Sequence, residues 1–209
     1  MQLERFNGNL EDADFVNLLM VDISGNIRSV SLPHTYVSEK VMKEGIGFDA
    51  SNYGYAKVSN SDMVAVPDMS TAFFEVRGDY RMLHVLCDVV STEREVFDQY
   101  PRNIVKKTKE FLKKEGIADN AKLLVELEYY AFEDVEYSTG IDHASYRVTS
   151  AEGMGDGFSS APRTDPHKAY HRMPPEDRYM DFRSETVRLM EIAGIPVKYH
   201  HHEVAISQL

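Results

Sequence analysis

The hydrophobic pattern changes character near residue 100, and this change constrains the fold more than any other feature of the sequence. Up to about residue 97, short apolar runs alternate with turn residues, which is typical of strands. From Pro101 onward, longer segments carry apolar residues at helical spacing. We therefore expect an α+β protein with two domains, residues 1–100 and residues 101–209.

The first zone predicts a mixed sheet with one helix on it. Residues 15–22 and 27–32 flank a Ser-Gly-Asn turn and are expected to form a β-hairpin. Residues 36–44 have helical spacing, with Gly45 as the stop signal. Further strands are predicted at residues 63–66, 73–76 and 82–90.

The second zone predicts helices at residues 102–115 and 181–193, each ended by a glycine. Residues 121–132 and the segment from residue 195 are expected to be strands. Residues 137–177, rich in Gly, Ser, Asp and Pro, predict a long loop with little structure of its own. Because the sequence ends inside a patterned strand, we expect residues 101–209 to be the opening of a larger domain.

The composition limits the partners that the chain can bind. Its 209 residues carry a formal net charge of −11, and 43% of them are apolar, which is enough to bury a core. This acidity argues against binding nucleic acid or an anionic membrane surface, because Lys and Arg dominate both interactions. The single cysteine, Cys87, is expected to be a buried strand thiol. Since neither a signal peptide nor an apolar run of about 18 residues is evident, we expect a cytoplasmic protein.

Two carboxylates, Glu126 and Glu128, occupy alternate positions of an apolar segment. In a strand they would share one face, ~7 Å apart, while Leu127 points to the other face. Such a pair is repulsive unless a cation lies between the carboxylates, and Mg²⁺ and Mn²⁺ prefer oxygen ligands of this kind. The alternative is the solvated outer face of an edge strand.

The last ten residues contain three histidines followed by a carboxylate, His200-His201-His202-Glu203. In a strand, His201 and Glu203 would face one way, and His200 and His202 the other. Glu203 is a candidate third oxygen ligand, whereas His201 and His202 could hydrogen-bond a phosphoryl oxygen or support the site. A purification tag is the other explanation, but the run is short and lies inside the sequence.

Asp49 and Ser51 lie in a glycine-flanked loop, residues 45–55, which follows the first predicted helix. Taken alone, Asp49 is most simply an Asx-turn residue. Asp62 and Asp68 also stand at turn positions and are expected to be structural.

Five segments, taken in order, resemble the first half of the glutamine synthetase family. They are Phe48-Asp49-Ala50-Ser51, Ser61-Asp62-Met63 with Pro67-Asp68, Tyr100-Pro101-Arg102, Glu126-Leu127-Glu128-Tyr129-Tyr130, and Ala193-Gly194-Ile195-Pro196-Val197 followed by His201-His202-Glu203-Val204-Ala205. The resemblance runs from about residue 15 to residue 209. It implies a β-grasp-like N-terminal domain followed by the first part of a catalytic α/β domain, whose curved sheet carries two divalent metals.

The resemblance also implies roles for individual residues. Glu126 corresponds to a ligand of the metal that orients the nucleotide phosphates, and Glu128 and Glu203 to ligands of the metal on the glutamate side. Asp49 resembles the aspartate that one subunit lends to its neighbour's site, where it binds ammonium and helps to take its proton. Ser51 belongs to the same ammonium loop.

The activity that this resemblance implies is an ATP-dependent ligation. ATP phosphorylates the γ-carboxylate of glutamate, and ammonia then attacks the acyl phosphate, with Mg²⁺ or Mn²⁺ neutralising the phosphoryl charge. The implied partners are glutamate, ammonia and ATP, together with further copies of the chain or a second ligase chain. The family's later segments, including the Lys-Pro ATP motif and the phosphate-binding arginines, have no counterpart in these 209 residues.

Two departures from the family pattern leave several functions open. Ala50 and Asn52 replace a glycine and a second serine of the family's loop, which puts the backbone turn and the ammonium contact in question. Residues 137–177 show no clear match. The expectations are a ligase that is inactive as this chain alone, a non-catalytic homologue that binds metal or pairs with a full-length ligase, or one half of a split enzyme. Relatives also act on amines other than ammonia.

Overall fold

Strands dominate the first 91 residues, and helices and irregular segments dominate the rest. The computed structural model describes residues 2–57, 59–153 and 167–209. They group into two units, residues 1–123 with 192–194, and residues 124–191 with 195–209. Among the described residues, no helix is long and apolar enough to cross a membrane.

The described residues of the first unit form seven strands and two α-helices. The strands are β1 (Gln2–Arg5), β2 (Phe15–Val21), β3 (Ile27–Pro33), β4 (Ile46–Asp49), β5 (Asp62–Pro67), β6 (Phe73–Arg77) and β7 (Tyr80–Ser91), and the helices are α1 (Glu39–Glu44) and α2 (Pro101–Lys114). The main order of the sheet is β1-β6-β7-β2-β3, while β5 joins β7 and β4 joins β5. Among the strand pairs described for this unit, β2 and β7 are parallel and the others are antiparallel. The predicted hairpin, the mixed sheet and the α+β class are therefore confirmed.

The core of this unit follows the alternation of β2 and β7, the two strands that pair in parallel at the centre of the sheet. The inward side chains of both strands are completely buried: Val16, Leu18, Met20, Leu83, Val85, Cys87 and Val89. Cys87 is the buried strand thiol that the sequence predicts, and burial raises its pKa to about 12. The thiol is therefore not a nucleophile in the folded protein.

Gly45 ends α1 as predicted, and the structure shows why glycine is needed there. Its φ is +77°, and a Cβ added at this position would lie 2.1 Å from the carbonyl oxygen of Ala65. Neither the backbone angle nor the space would accept a side chain. The turn from α1 into β4, which leads to Asp49, therefore depends on this residue.

The predicted helix at residues 36–44 is shorter than expected. A 3₁₀ turn covers His34–Tyr36, Val37 and Ser38 are extended, and only Glu39–Glu44 is α-helical. The Ser38 side chain accepts a hydrogen bond from the Val41 N–H and so caps the helix at that point. β1 and β4, each of four residues, had no signal that the sequence analysis recognised.

The second unit contains the hairpin of β8 (Asp134–Thr139) and β9 (Ala144–Thr149), and all of α3 (Met180–Ile192) except its last residue. The two helices predicted in the second zone are confirmed, each beginning one residue earlier than expected. The prediction of a loop at residues 137–177 is wrong in its first part, because β8 and β9 pair there over six residues. Residues 154–166 of that predicted loop lie outside the described residues.

The strands predicted at residues 121–132 and from residue 195 are not formed. Both segments are irregular, and apolar side chains of the first are open to solvent, with Leu123 89% and Val125 71% exposed. An apolar run becomes a strand only when a neighbour accepts its backbone hydrogen bonds. Within the described chain these segments pair with each other only over residues 129–131 and 207–209, around the isolated bridge between Tyr130 and Gln208.

The two units divide at residue 123, about 20 residues beyond the change in hydrophobic pattern. α2 belongs to the first unit, where Asn103 is buried and its Nδ2 donates to the carbonyl oxygens of Val89 (3.0 Å) and Phe97 (2.8 Å). The expected domain boundary near residue 100 stays a prediction.

Candidate metal and substrate site

The segment that carries the Glu126–Glu128 pair lies beside the end of the chain. The Tyr129 N–H donates to the Leu209 carbonyl at 3.0 Å, and the Leu209 N–H donates back to Tyr129 at 2.8 Å. The Ala131 N–H donates to Ser207 at 2.9 Å. These antiparallel contacts place the segment just after Glu128 alongside the segment just after Glu203.

Gln208 connects the two predicted metal ligands Glu128 and Glu203. Its Nε2 donates to Glu128 Oε2 at 3.2 Å, and its carbonyl accepts the Glu203 N–H at 3.0 Å. The Ala205 N–H donates to Gln208 Oε1 at 3.2 Å and closes a tight turn. The Gln208 side chain therefore links Glu128 to the turn that follows Glu203.

Glu203 and His201 lie on the same side of the C-terminal segment. Glu203 Oε1 is 3.6 Å from His201 Nδ1, and both side chains are mostly buried, at 19% and 24% exposure. The His201 ring packs edge-on against Tyr170 and His171. The pairing of His201 with Glu203 thus follows the predicted alternation, although the segment is not a regular strand.

Glu126 differs from Glu128 and Glu203 because its carboxylate has no hydrogen-bond or ion-pair partner among the described residues. Its side chain is exposed. Its oxygens are available to a cation, but exposure is also what the alternative of a solvated face predicts. The oxygens of Glu126, Glu128 and Glu203 do not come within 4.8 Å of one another as a set of three.

A second group of residues lies buried in the same unit; the sequence analysis singled out its His202 but missed Glu152 and Asp177. Glu152, Asp177 and His202 bring ligand atoms within 4.8 Å of one another, the closest grouping of its kind in the described residues. Glu152 Oε2 is 2.9 Å from His202 Nε2 and accepts the Ser207 N–H at 2.9 Å. Glu152 Oε1 accepts the Arg178 N–H at 2.8 Å.

Asp177 in this group forms a buried ion pair with Arg183. Arg183 Nη1 donates to Asp177 Oδ1 at 3.1 Å, Nη2 donates to Oδ2, and the Tyr179 N–H also reaches Oδ1. Burial alone would raise the pKa of Asp177, but the hydrogen bonds and charge of Arg183 hold it below its usual range. Each carboxylate oxygen of Asp177 and Glu152 already accepts a protein N–H, so the group is a satisfied polar core and not a vacant metal site.

His202 is held by contacts at both ring nitrogens. Nδ1 is 2.7 Å from the carbonyl oxygen of Glu203, and Nε2 faces Glu152. The side chain is only 1% exposed. Of the two roles left open for this residue, a phosphoryl contact and support of the site, these contacts favour support.

Asp49 and Ser51 belong to the first unit, at the end of β4. Asp49 Oδ1 accepts the Ser51 N–H at 2.8 Å, which is the Asx-turn geometry expected from the sequence. This backbone hydrogen bond, followed by contacts with the Ser51 and Ser61 hydroxyls, holds the pKa of Asp49 below its usual value. The exposed carboxylate is therefore ionised at neutral pH.

Ala50, which replaces a glycine of the resembled loop, fits the turn without strain. Its φ is −91°, within the range that alanine accepts, and its side chain is fully buried. The Ala50 N–H donates to the Ser61 carbonyl at 2.8 Å and joins the loop to the residue before β5. The substitution therefore leaves the backbone turn intact.

Two family models together match nearly the whole chain. The glutamine synthetase β-grasp domain matches residues 12–92, and the glutamine synthetase catalytic domain matches residues 98–209. The chain belongs to the glutamine synthetase family. Membership confirms the resemblance on which the predicted site residues depend.

Curated relatives of the glutamine synthetase family align with almost all of this chain. Glutamine synthetase of Aquifex aeolicus is 35% identical over 203 residues, which are 94% of this chain and 43% of that protein. The Escherichia coli K12 enzyme is 32% identical over 207 residues, 95% of this chain and 44% of that protein. A 3-hydroxylaminophenol mutase of Cupriavidus pinatubonensis is 32% identical over 202 residues, 93% and 43% respectively. The chain thus spans less than half the length of the curated relatives it matches.

Solved structures of the glutamine synthetase family confirm the fold. Plasmodium falciparum glutamine synthetase has a TM-score of 0.78 at 23% identity, covering 97% of this chain and 41% of that one. The ligand-free structure of GmaS has a TM-score of 0.59 at 16% identity, covering 95% and 41%. At these identities the likeness shows a β-grasp sheet followed by part of the catalytic domain, and nothing about substrate.

Proposed function

We propose that this chain supplies the β-grasp domain, residues 1–100, and the first metal-ligating segments, within residues 101–209, of a glutamate–ammonia ligase. The reaction is transfer of the ATP γ-phosphoryl group to the γ-carboxylate of glutamate, followed by attack of ammonia on γ-glutamyl phosphate and release of phosphate. The observation that carries the proposal is the pairing of residues 129–131 with 207–209, in a region matched by the catalytic-domain model.

The metal ligands in this proposal are the carboxylates of the two paired segments. Glu126 would hold the metal on the nucleotide side, and Glu128 and Glu203 the metal on the glutamate side. Their hard oxygen donors fit Mg²⁺ or Mn²⁺. When bound, the metals supply positive charge that neutralises the transferring phosphoryl group. Glu126 has no internal partner among the described residues, unlike the saturated oxygens of Glu152.

Asp49 and Ser51 form the ammonium loop of the proposed site. An exposed carboxylate with a lowered pKa stays ionised and attracts a cation. Because ammonium has no lone pair, it must first give one proton to the carboxylate, and the resulting ammonia then attacks the acyl carbon. The low pKa of the carboxylate makes this transfer unfavourable by itself, and the attack draws it forward by consuming the ammonia. In the proposed assembly this loop serves the site of a neighbouring copy of the chain, within a cytoplasmic homo-oligomer.

We propose that glutamine formation needs further residues besides the 209 of this chain. The curated relatives are more than twice as long as the segment they share with it. We expect the 209-residue chain alone to bind metal but to form no γ-glutamyl hydroxamate from glutamate, hydroxylamine, ATP and Mg²⁺, because catalysis depends on the whole constellation of charges. Hydroxamate formation by the purified chain would contradict this expectation and leave the ligase assignment intact.

The metal site is tested by thermal melting with and without millimolar Mn²⁺. Binding to the folded form alone stabilises it by RT ln(1 + [L]/Kd), about 2.7 kcal/mol at a hundredfold excess over Kd. We expect the double variant Glu126→Ala/Glu128→Ala to lose this gain and to be no less stable than wild type without metal.

The matched control is Asp134→Ala/Glu136→Ala, which removes two exposed carboxylates at the same spacing from β8. It should keep the full Mn²⁺ shift. Equal shifts in all three proteins would mean that Glu126 and Glu128 are a solvated face, and the site assignment would then be wrong.

A further inference from the structure

We propose that Glu152 is a positioning residue that fixes the turn presenting Glu203 to the metal. The inference rests on the proposed metal role of Glu203, but concerns a residue that contacts neither metal nor substrate in that proposal. Glu152 lies 51 positions before Glu203 in the sequence, and its side chain is completely buried. A carboxylate in that position needs a structural reason, because burying a charge without partners is strongly unfavourable.

One oxygen of Glu152 holds both ends of the turn. Oε2 meets His202 Nε2 at 2.9 Å and the Ser207 N–H at 2.9 Å, so residues 202 and 207 are tied to one atom. Glu203 lies between these two anchors. The remaining contacts inside the turn, from Glu203 N–H to the Gln208 carbonyl and from Ala205 N–H to Gln208 Oε1, complete its shape.

The other oxygen of Glu152 anchors the carboxylate to the rest of the unit. Oε1 accepts the Arg178 N–H at 2.8 Å, one residue after Asp177 with its buried ion pair to Arg183. The Glu152 N–H itself donates to Ser150 Oγ at 3.1 Å. The turn is therefore fastened to a rigid buried frame, and its position does not depend on solvent-exposed contacts.

His202 connects Glu152 to the backbone of Glu203, because its two ring nitrogens contact one residue each. The Glu203 carbonyl can only accept, so the proton on His202 must lie on Nδ1, where it donates at 2.7 Å. On the other side of the ring, Nε2 lies 2.9 Å from Glu152 Oε2. The imidazole is thus fixed in orientation from both sides, and the backbone of Glu203 is fixed with it.

The inference predicts that Glu152 controls metal affinity, measured with Mn²⁺ alone by the loss of the free-ion EPR signal. Removal of a residue that orients a metal ligand typically changes metal affinity 10- to 100-fold. We expect Glu152→Ala to weaken Mn²⁺ binding by about 10-fold or more. Glu152→Gln should weaken it less, since an amide keeps one acceptor but sets its NH₂ group against a backbone N–H.

The control variants separate positioning from a general loss of stability. Asp22→Asn alters another buried carboxylate, which accepts the Ser24 and Asn26 N–H groups at 2.9 Å in the first unit. It should destabilise the protein yet leave the Kd for Mn²⁺ unchanged at a temperature where both proteins are folded. Glu203→Gln should abolish binding at the glutamate-side metal and serves as the positive control.

A measurement on the wild-type chain covers the case in which both Glu152 variants fail to fold. If Glu152 couples the turn to the metal, saturating Mg²⁺ must slow hydrogen exchange of the Ser207 and Arg178 amides, because linkage is reciprocal. Unchanged exchange at both amides, or folded Glu152 variants with wild-type Kd, would overturn the inference. If the wild-type chain binds no Mn²⁺ at all, the proposed metal site is wrong, and the positioning role falls with it.

Discussion

The two units of the chain have interiors of opposite kinds, one apolar and one polar. In the first unit, the buried side chains of β2 and β7 are apolar and interlock across a parallel strand pair. In the second, the most deeply buried side chains include an acid, a histidine and an ion pair: Glu152, His202, and Asp177 with Arg183. An apolar core tolerates small shifts of its parts, whereas a polar network has defined donors and acceptors. The polar interior therefore suits the unit that must hold metal ligands in fixed places.

The largest expected effect is on the ion pair of the second unit. Arg183→Met leaves the buried Asp177 carboxylate without its cation and should cost about 3–5 kcal/mol of the free energy of unfolding. Urea denaturation followed by far-UV circular dichroism measures this loss. Arg188→Met, on the same helix, removes an exposed pair with Glu185 and should leave the free energy of unfolding almost unchanged, because water screens that pair. Equal costs would mean that the polar interior contributes no more than a surface pair.

A smaller loss is expected from a cavity in the apolar interior of the first unit. Leu18→Ala removes a side chain with no exposure and should cost about 3 kcal/mol through lost burial and an incompletely filled cavity. Leu127→Ala, in the irregular segment of the second unit, changes a residue that is 62% exposed and should change stability by less than about 0.5 kcal/mol. Matching losses from the two leucine substitutions, again in urea, would remove the contrast between the interiors.

The smallest expected effect is on the pH dependence of stability, and it is seen only at acidic pH. Because the pKa of Asp177 is lower in the folded protein than in the unfolded chain, its contribution to stability is complete above the unfolded value near 4. That contribution is lost as the pH falls through the lowered folded value. We expect the stability of wild type to fall more steeply below pH 4 than that of Asp177→Asn. Parallel stability curves of the two proteins between pH 5 and pH 2 would show that the carboxylate does not titrate in this way.

The sequence predicted the first unit well because its structure is encoded locally. The apolar alternation of β2 and the Ser-Gly-Asn turn after it fall within one short stretch, and the helix that Gly116 ends is likewise encoded by a short local segment. The four-residue strands β1 and β4 are too short to show a period. The family itself could be predicted from ordered segments, as the match to both family models confirms.

The second unit was predicted less well because its structure depends on distant partners. Residues 121–132 have the composition of a strand, but strand formation is decided by a neighbour that the local pattern does not contain. Glu152 and Asp177 are 25 positions apart in a polar, loop-like stretch of the sequence, where an acidic residue gives no signal of burial. The roles of Glu126, Glu128, Glu203 and Asp49 stay predictions, supported by family membership and by the pairing near Gln208.

The parallel pair of β2 and β7 can form only some time after β2 has been synthesised. β2 ends at Val21, but its partner β7 is complete only at Ser91, 70 residues later. At roughly 5–20 residues per second, a ribosome needs roughly 4–14 s to make that stretch. During this interval β3 is the only one of the two partners of β2 that has been made, and the apolar side chains of the hairpin are not yet buried by β7. Cys87 is made late in the same interval, and its burial has to wait for the pairing of β7 with β2.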